Sequence, residues 1–76
     1  MNAANQHKVL AILQAIIVDE TGTEATSWQE IVKVVGAEIK VKNWLDVRGI
    51  IQYMLNNKMI ARVNNVHVEA YYKLPA

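Results

Sequence analysis

Apolar side chains recur at Val47, Ile50, Ile51, Met54 and Leu55, spaced by three, one, three and one, which gathers them on one face of a 3.6-residue helix. Asn43 is suited to cap that helix through its side-chain oxygen, and Asp46 sits favourably near the positive end of the helix dipole, so the spacing predicts a start near Trp44. Beyond Asn56 and Asn57 the period changes. Residues 58–63 and 66–74 are short runs rich in Val, Ile and Tyr on either side of Asn64-Asn65, a pair that tolerates the positive φ angles of a two-residue hairpin turn. The pattern therefore predicts a helix that runs straight into a β-hairpin.

Toward the N-terminus a first helix is predicted over residues 5–20, with Asn2 or Asn5 as its cap. From Val9 to Val18 the only polar residue is Gln14. Val9, Leu10, Leu13, Ile16 and Ile17 are expected to face the core, which leaves Ala11, Ile12, Ala15 and Val18 on the other side. A helix that is apolar nearly all round is usually covered on two sides, so these four residues are expected to contact a second protomer or another protein. Small side chains left partly exposed account for the same pattern equally well. The run is too short to span a bilayer.

Residues 21–26 form a polar connection in which Gly22 supplies backbone freedom, and its last two or three residues have the makings of a very short strand. Ser27 and Glu30 then make a capping box, Ser27 bonding forward and Glu30 back, so a second helix is predicted to begin at Trp28. Ile31, Val34 and Val35 continue it and Gly36 is placed to stop it, with Trp28 anchoring the core. Residues 37–42 alternate like a strand without an evident partner; a loop or a continuation of the second helix past Gly36 stays open.

Hairpin register decides which side chains meet the core, because a slip of one residue reverses the faces of a strand. A two-residue loop at Asn64-Asn65 pairs Val63 with Val66, Ala61 with Val68 and Met59 with Ala70, and puts Arg62 and His67 together on the other face. A three-residue loop through Val66 pairs Ile60 with Ala70 and Arg62 with Val68 instead. The two-residue loop is preferred, and in either case Tyr72 and Leu74 share a face with Val68 and are expected to close the core.

Composition narrows the class. A chain of 76 residues, 53% apolar, supports one domain over residues 1–76 with a single small core. The absence of cysteine removes disulfides and thiolate metal sites, and together with the lack of a signal-peptide pattern or a membrane-spanning run it points to a soluble cytoplasmic protein. Net charge is only +1, yet it is unevenly spread. Residues 1–39 carry two lysines against five carboxylates, a net of −3, whereas residues 40–76 carry Lys40, Lys42, Arg48, Lys58, Arg62 and Lys73 against Asp46 and Glu69, a net of +4. That asymmetry suggests an anionic partner for the C-terminal half.

Candidate chemistry is sparse. Ser27 is the only serine and is explained as a cap; His7 and His67 are far apart in sequence with no carboxylate at metal-ligand spacing; Gly22, Gly36 and Gly49 make no phosphate loop. No catalytic residue, metal site or cofactor is expected, and the chain does not read as an enzyme.

The order helix, minimal strand, helix, helix, hairpin resembles the winged-helix (winged helix-turn-helix) family of DNA-binding domains over nearly the whole chain. The likeness is carried by Ser27-Trp28-Gln29-Glu30-Ile31-Val32 at the opening of the second helix. It is carried also by Met54-Leu55-Asn56-Asn57-Lys58-Met59-Ile60-Ala61-Arg62-Val63, where the third helix passes into the first wing strand. Small bacterial and phage regulators of this type show a similar passage of leucine, two polar residues, glycine, leucine, isoleucine, any residue and arginine. Here Lys58 stands in the glycine position, and Asn57 is expected to take the left-handed conformation in its place. The resemblance implies an α+β fold, a winged helix-turn-helix of three helices followed by a C-terminal hairpin.

It also implies duplex DNA as partner, with the third helix in the major groove and the hairpin on the backbone. Arg48, Gln52 and Asn43 are the residue types that pair with base edges, with Asn56 beside them on the outward side, where Asp46, Gly49 and Tyr53 also lie. Lys40, Lys42, Lys58 and Arg62 suit phosphates, and Asn64 and Asn65 form the wing tip. A homodimer through the first helix would supply a second half-site. Two functions are therefore expected: a small sequence-specific transcriptional regulator, or a winged-helix module that binds a protein within a transcription or replication complex.

Overall fold

The computed structural model describes residues 1–76. Three helices, α1 (Ala3–Ile16), α2 (Trp28–Glu38) and α3 (Trp44–Asn56), are combined with three short strands, β1 (Thr26–Ser27), β2 (Ile60–Arg62) and β3 (Ala70–Lys73). The strands form one antiparallel sheet in the order β1-β3-β2, giving a small α+β domain. No helix is long and apolar enough to cross a membrane.

Helix starts follow the predicted caps. Asn2 accepts from the Asn5 amide at 2.8 Å, Ser27 from the Glu30 amide at 3.0 Å and Asn43 from the Leu45 amide at 3.0 Å. Each satisfies one of the orphan donors of a first turn. The return half of the Ser27–Glu30 box does not form, and Ser27 lies in β1 opposite Ala70.

Helix ends differ from expectation. α1 stops at Ile16, four residues short of the predicted end, because Ile17 leaves helical geometry and the Thr26 hydroxyl donates to the Ile16 carbonyl at 2.9 Å. The chain then runs beside β3, where the Lys73 amide donates to the Asp19 carbonyl at 2.6 Å. Gly22, at φ 83°, turns the connection, and its amide donates to the Asp19 carboxylate at 2.8 Å. α2 is not stopped by Gly36 and continues to Glu38, with Gly36 set against the Trp44 ring. Ile39 ends it by turning extended and entering the core, so residues 37–42 contain a helix end and a loop and no strand.

The core gathers Val9, Leu13 and Ile17 with Ile31, Val35 and Ile39, and joins them to Val47, Ile51, Met54, Ile60 and Tyr71. The predicted apolar stripes of α1 and α3 thus face inward, and that of α2 does so at Ile31 and Val35 but not at Val34, which stays outside the core cluster. Ile12, expected outside, is half-buried against this core, so only Ala11, Ala15 and Val18 of the four outer residues are exposed.

Both hairpin registers considered from sequence are overturned. Ile60 pairs with Lys73, Ala61 with Tyr72 and Arg62 with Tyr71, and the Val63 amide donates to the Ala70 carbonyl at 2.9 Å. Residues 64–69 are therefore loop. The turn falls on residues 65–68, where the Val68 amide donates to the Asn65 carbonyl at 3.1 Å and the His67 amide to the Asn65 side chain at 2.9 Å. The physical reason is β3's central position. Thr26 pairs with Tyr71 and Ser27 with Ala70 on its other edge, and this second edge fixes the register. Val68 consequently leaves the core for solvent, Ala70 and Tyr71 are buried in its stead, and Tyr72 and Leu74 are only half-buried. Arg62 and His67 do not share a strand face.

Candidate nucleic-acid interface

α3 leaves the core through a Schellman motif that aims the hairpin. The Met59 amide donates to the Met54 carbonyl at 2.9 Å and the Lys58 amide to the Leu55 carbonyl at 3.1 Å. Lys58 itself takes the left-handed conformation at φ 59°, whereas Asn57, expected there, lies at φ −93°. A side chain with a Cβ thus occupies the position for which glycine is preferred, at a cost of about 1 kcal/mol.

With Val47, Ile51 and Met54 buried, the outward face of α3 carries Leu45, Gly49, Gln52, Tyr53 and Asn56. Gln52 donates to the Asn56 side chain at 2.8 Å, so the two amides stand side by side one turn apart. A Cβ at Gly49 would meet nothing within 4 Å, which leaves the helix backbone open to close approach. Asp46 is half-buried on the α1 side, where it accepts from the Met1 amino group at 3.2 Å.

The residues expected to meet phosphate lie on the segments before and after α3. Lys40 and Lys42 precede α3, Lys58 follows it and Arg62 lies on β2; all four are exposed and none forms an ion pair. Asn43 spends its side-chain oxygen on the helix cap, and Asn65 spends its own on the hairpin turn, while Asn64 is exposed at the tip.

Arg48 stands apart. Nη1 donates to Glu69 Oε2 at 2.6 Å and Nη2 to Oε1 at 3.2 Å, while Cζ sits 3.9 Å from the centre of the Trp28 ring. Trp28 in turn meets Trp44 edge-on, ring centres 6.0 Å apart. The Tyr71 hydroxyl donates to Glu69 Oε2 at 2.8 Å. Hydrogen bonds from Arg48, and after them from Tyr71, outweigh burial and hold the Glu69 carboxyl below its usual range. Burial, reinforced by the bond to Glu69, pushes the Tyr71 phenol up to about 12. This cluster ties α2, α3 and the hairpin together through one partly exposed charge pair, worth on the order of 1 kcal/mol.

Glu69, Tyr71 and Trp28 escaped sequence reasoning as members of a polar site. A signal existed, since Glu69 is one of only two acids in the basic half. Among the exposed apolar residues Tyr53, 53% exposed, lies outward as expected, whereas Leu45, 69% exposed, and Val66, 90% at the hairpin tip, have no counterpart in the sequence reading. Leu45 and Tyr53 line a groove of about 530 Å³ with Leu10 and Ile50, between α3 and α1. No group of three or more His, Asp or Glu side chains is gathered as a metal would require. Compared with protein-family models, with curated proteins and with solved structures, the chain finds no match.

Proposed function

We propose that the chain is a winged helix-turn-helix domain that binds double-stranded DNA as a small transcriptional regulator, α3 lying in the major groove and the β2-β3 hairpin acting as the wing. The observation that supports this most is a set of exposed, unpaired cations on the segments that adjoin α3, Lys40 and Lys42 ahead of it, Lys58 at its exit and Arg62 on the hairpin, together with the exposed amides of Gln52 and Asn56 on the helix itself. Phosphates fix the position of a helix on duplex DNA through such cations, and side-chain amides pair with adenine in the major groove. Gly49 lets the backbone approach the bases. One such helix reads few base pairs, so the proposal includes a homodimer through the exposed Ala11, Ala15 and Val18 of α1.

Binding should weaken as a power of salt concentration set by the number of phosphates neutralised. Lys42→Ala should lower that power by about one without changing sequence preference, measured by fluorescence anisotropy on a labelled duplex.

A second function is favoured by a specific feature, the exposure of Leu45 and Tyr53 on α3 and of Val66 at the hairpin tip. A module that binds a protein within a transcription or replication complex would use such apolar anchors. Absence of duplex binding at low salt and tens of micromolar protein would decide for the protein partner.

A further inference from the structure

Arg48 is the only cation on α3, and it is held far more firmly than the lysines around it. Its two terminal nitrogens grip Glu69, its Cζ lies over Trp28, and the carboxylate it grips is fixed in turn by Tyr71. An arginine has five N–H donors, and those on the edge that includes Nε have no partner in the protein. The side chain is 43% exposed, so it is not sealed from a ligand. A guanidinium gripped in this way has lost its rotamer freedom before any ligand arrives, and its charge is largely cancelled by the carboxylate beside it. It is poorly suited to counterion release and well suited to directional pairing.

We propose that Glu69, Trp28 and Tyr71 are positioning residues that aim the free Nε edge of Arg48 at the paired O6 and N7 acceptors of a guanine in the major groove. Glu69 also cancels the charge that would otherwise let Arg48 settle on any phosphate. This rests on the duplex-binding proposal above and adds to it a base and a division of labour. Lys40, Lys42, Lys58 and Arg62 neutralise the backbone, while Arg48 discriminates. Bidentate recognition of guanine by arginine is the commonest specific contact with DNA, and a correct pair discriminates by roughly ten- to a hundredfold.

The test compares two duplexes, one selected by the protein from a random pool and one scrambled, each titrated over a range of salt. For Arg48→Ala, preference for the selected duplex should fall by about tenfold or more, with the salt slope changing by much less than one. Glu69→Gln should raise affinity for the scrambled duplex, steepen the slope by about one and reduce the preference, because the charge is released and the aim is lost. Tyr71→Phe keeps the carboxylate and should reduce the preference at an unchanged slope; it decides the matter if Glu69→Gln does not fold. Equal loss on both duplexes with a slope lowered by about one in Arg48→Ala would show a phosphate contact and overturn the assignment. So would an intact preference in Glu69→Gln and Tyr71→Phe. If the unaltered chain binds no duplex at low salt, the underlying proposal fails and this one with it; binding that ignores Arg48 and Glu69 overturns this one alone.

Discussion

The two flanks of α3 are built on different physics. Toward α2 and the hairpin, Trp44 and Arg48 meet Trp28 and Glu69 in contacts that depend on angle and distance: an edge-on aromatic pair, a cation over a ring, a two-pronged charge pair. Toward α1, Leu45, Ile50 and Tyr53 form with Leu10 an open groove that Gln6, His7, Asp46 and Gly49 also line, and the one side-chain bond at its edge runs from the Met1 amino group to Asp46. The first flank is closed on itself and fixes where the hairpin points. The second is unfinished, since Leu45 and Tyr53 remain mostly in water. A directional flank gives the helix a defined aim, and an open one gives it area without register. On the proposed function, base recognition therefore falls to the Arg48 side, and the alternative protein partner would take its anchors from the other.

The largest expected effect comes from breaking the closed flank at its aromatic centre. Trp28 is half-buried, packs on the core, holds Trp44 by an edge contact and carries Arg48 on its face. Truncation of a buried tryptophan costs about 3–5 kcal/mol, and a half-buried one correspondingly less. Trp28→Ala should therefore destabilise the domain by about 2–3 kcal/mol, read from the urea midpoint at unchanged m-value. A loss below about 1 kcal/mol would mean that the aromatic and cationic contacts do not hold this flank together in solution.

How much of this was legible in the chain follows the range of each interaction. The starts of α2 and α3 were readable because Ser27 and Asn43 bond to amides two or three residues away, and the core stripes because helical period is local. The end of α1 was not, since the hydroxyl that takes the Ile16 carbonyl belongs to Thr26, across a turn. Hairpin register failed for the same reason. Asn64-Asn65 is a sound local turn signal, but β3 is committed on its other edge to Thr26 and Ser27, and two residues of strand leave no pattern to read. Arg48 was picked out as a functional residue, yet its partner lies 21 positions away, and nothing in periodicity connects them. The left-handed residue is Lys58, at the glycine position of the passage that the chain resembles, and not Asn57, one residue earlier, where it was expected.

That left-handed residue supplies the intermediate prediction, because the Arg48 flank inherits the hairpin's direction from the turn at Lys58. With φ at 59°, the lysine backbone is in a conformation that glycine adopts without steric penalty, and the greater freedom of glycine in the unfolded chain offsets only part of the gain. Lys58→Gly should stabilise the domain by about 0.5–1 kcal/mol in urea denaturation. It should also lower duplex affinity and the salt slope if Lys58 touches phosphate, so that stability and binding move in opposite directions. A destabilised Lys58→Gly would show that the side chain, and not the backbone, holds this turn.

The smallest expected effect lies on the open flank, and it is informative because it is small. Leu45 is 69% exposed in the isolated chain, so removing its side chain forfeits little buried area, and surface substitutions of this kind usually fall within about 0.5 kcal/mol. Leu45→Ala should leave the urea midpoint almost unmoved at micromolar protein, in contrast to Trp28→Ala on the other side of the same helix. A loss of about 2 kcal/mol, especially one that grows with protein concentration, would mean that Leu45 is covered in solution by a second copy of the chain. The unfinished flank would then be a self-association surface, and the dimer would form across α3 and the N-terminal half of α1, away from Ala15 and Val18.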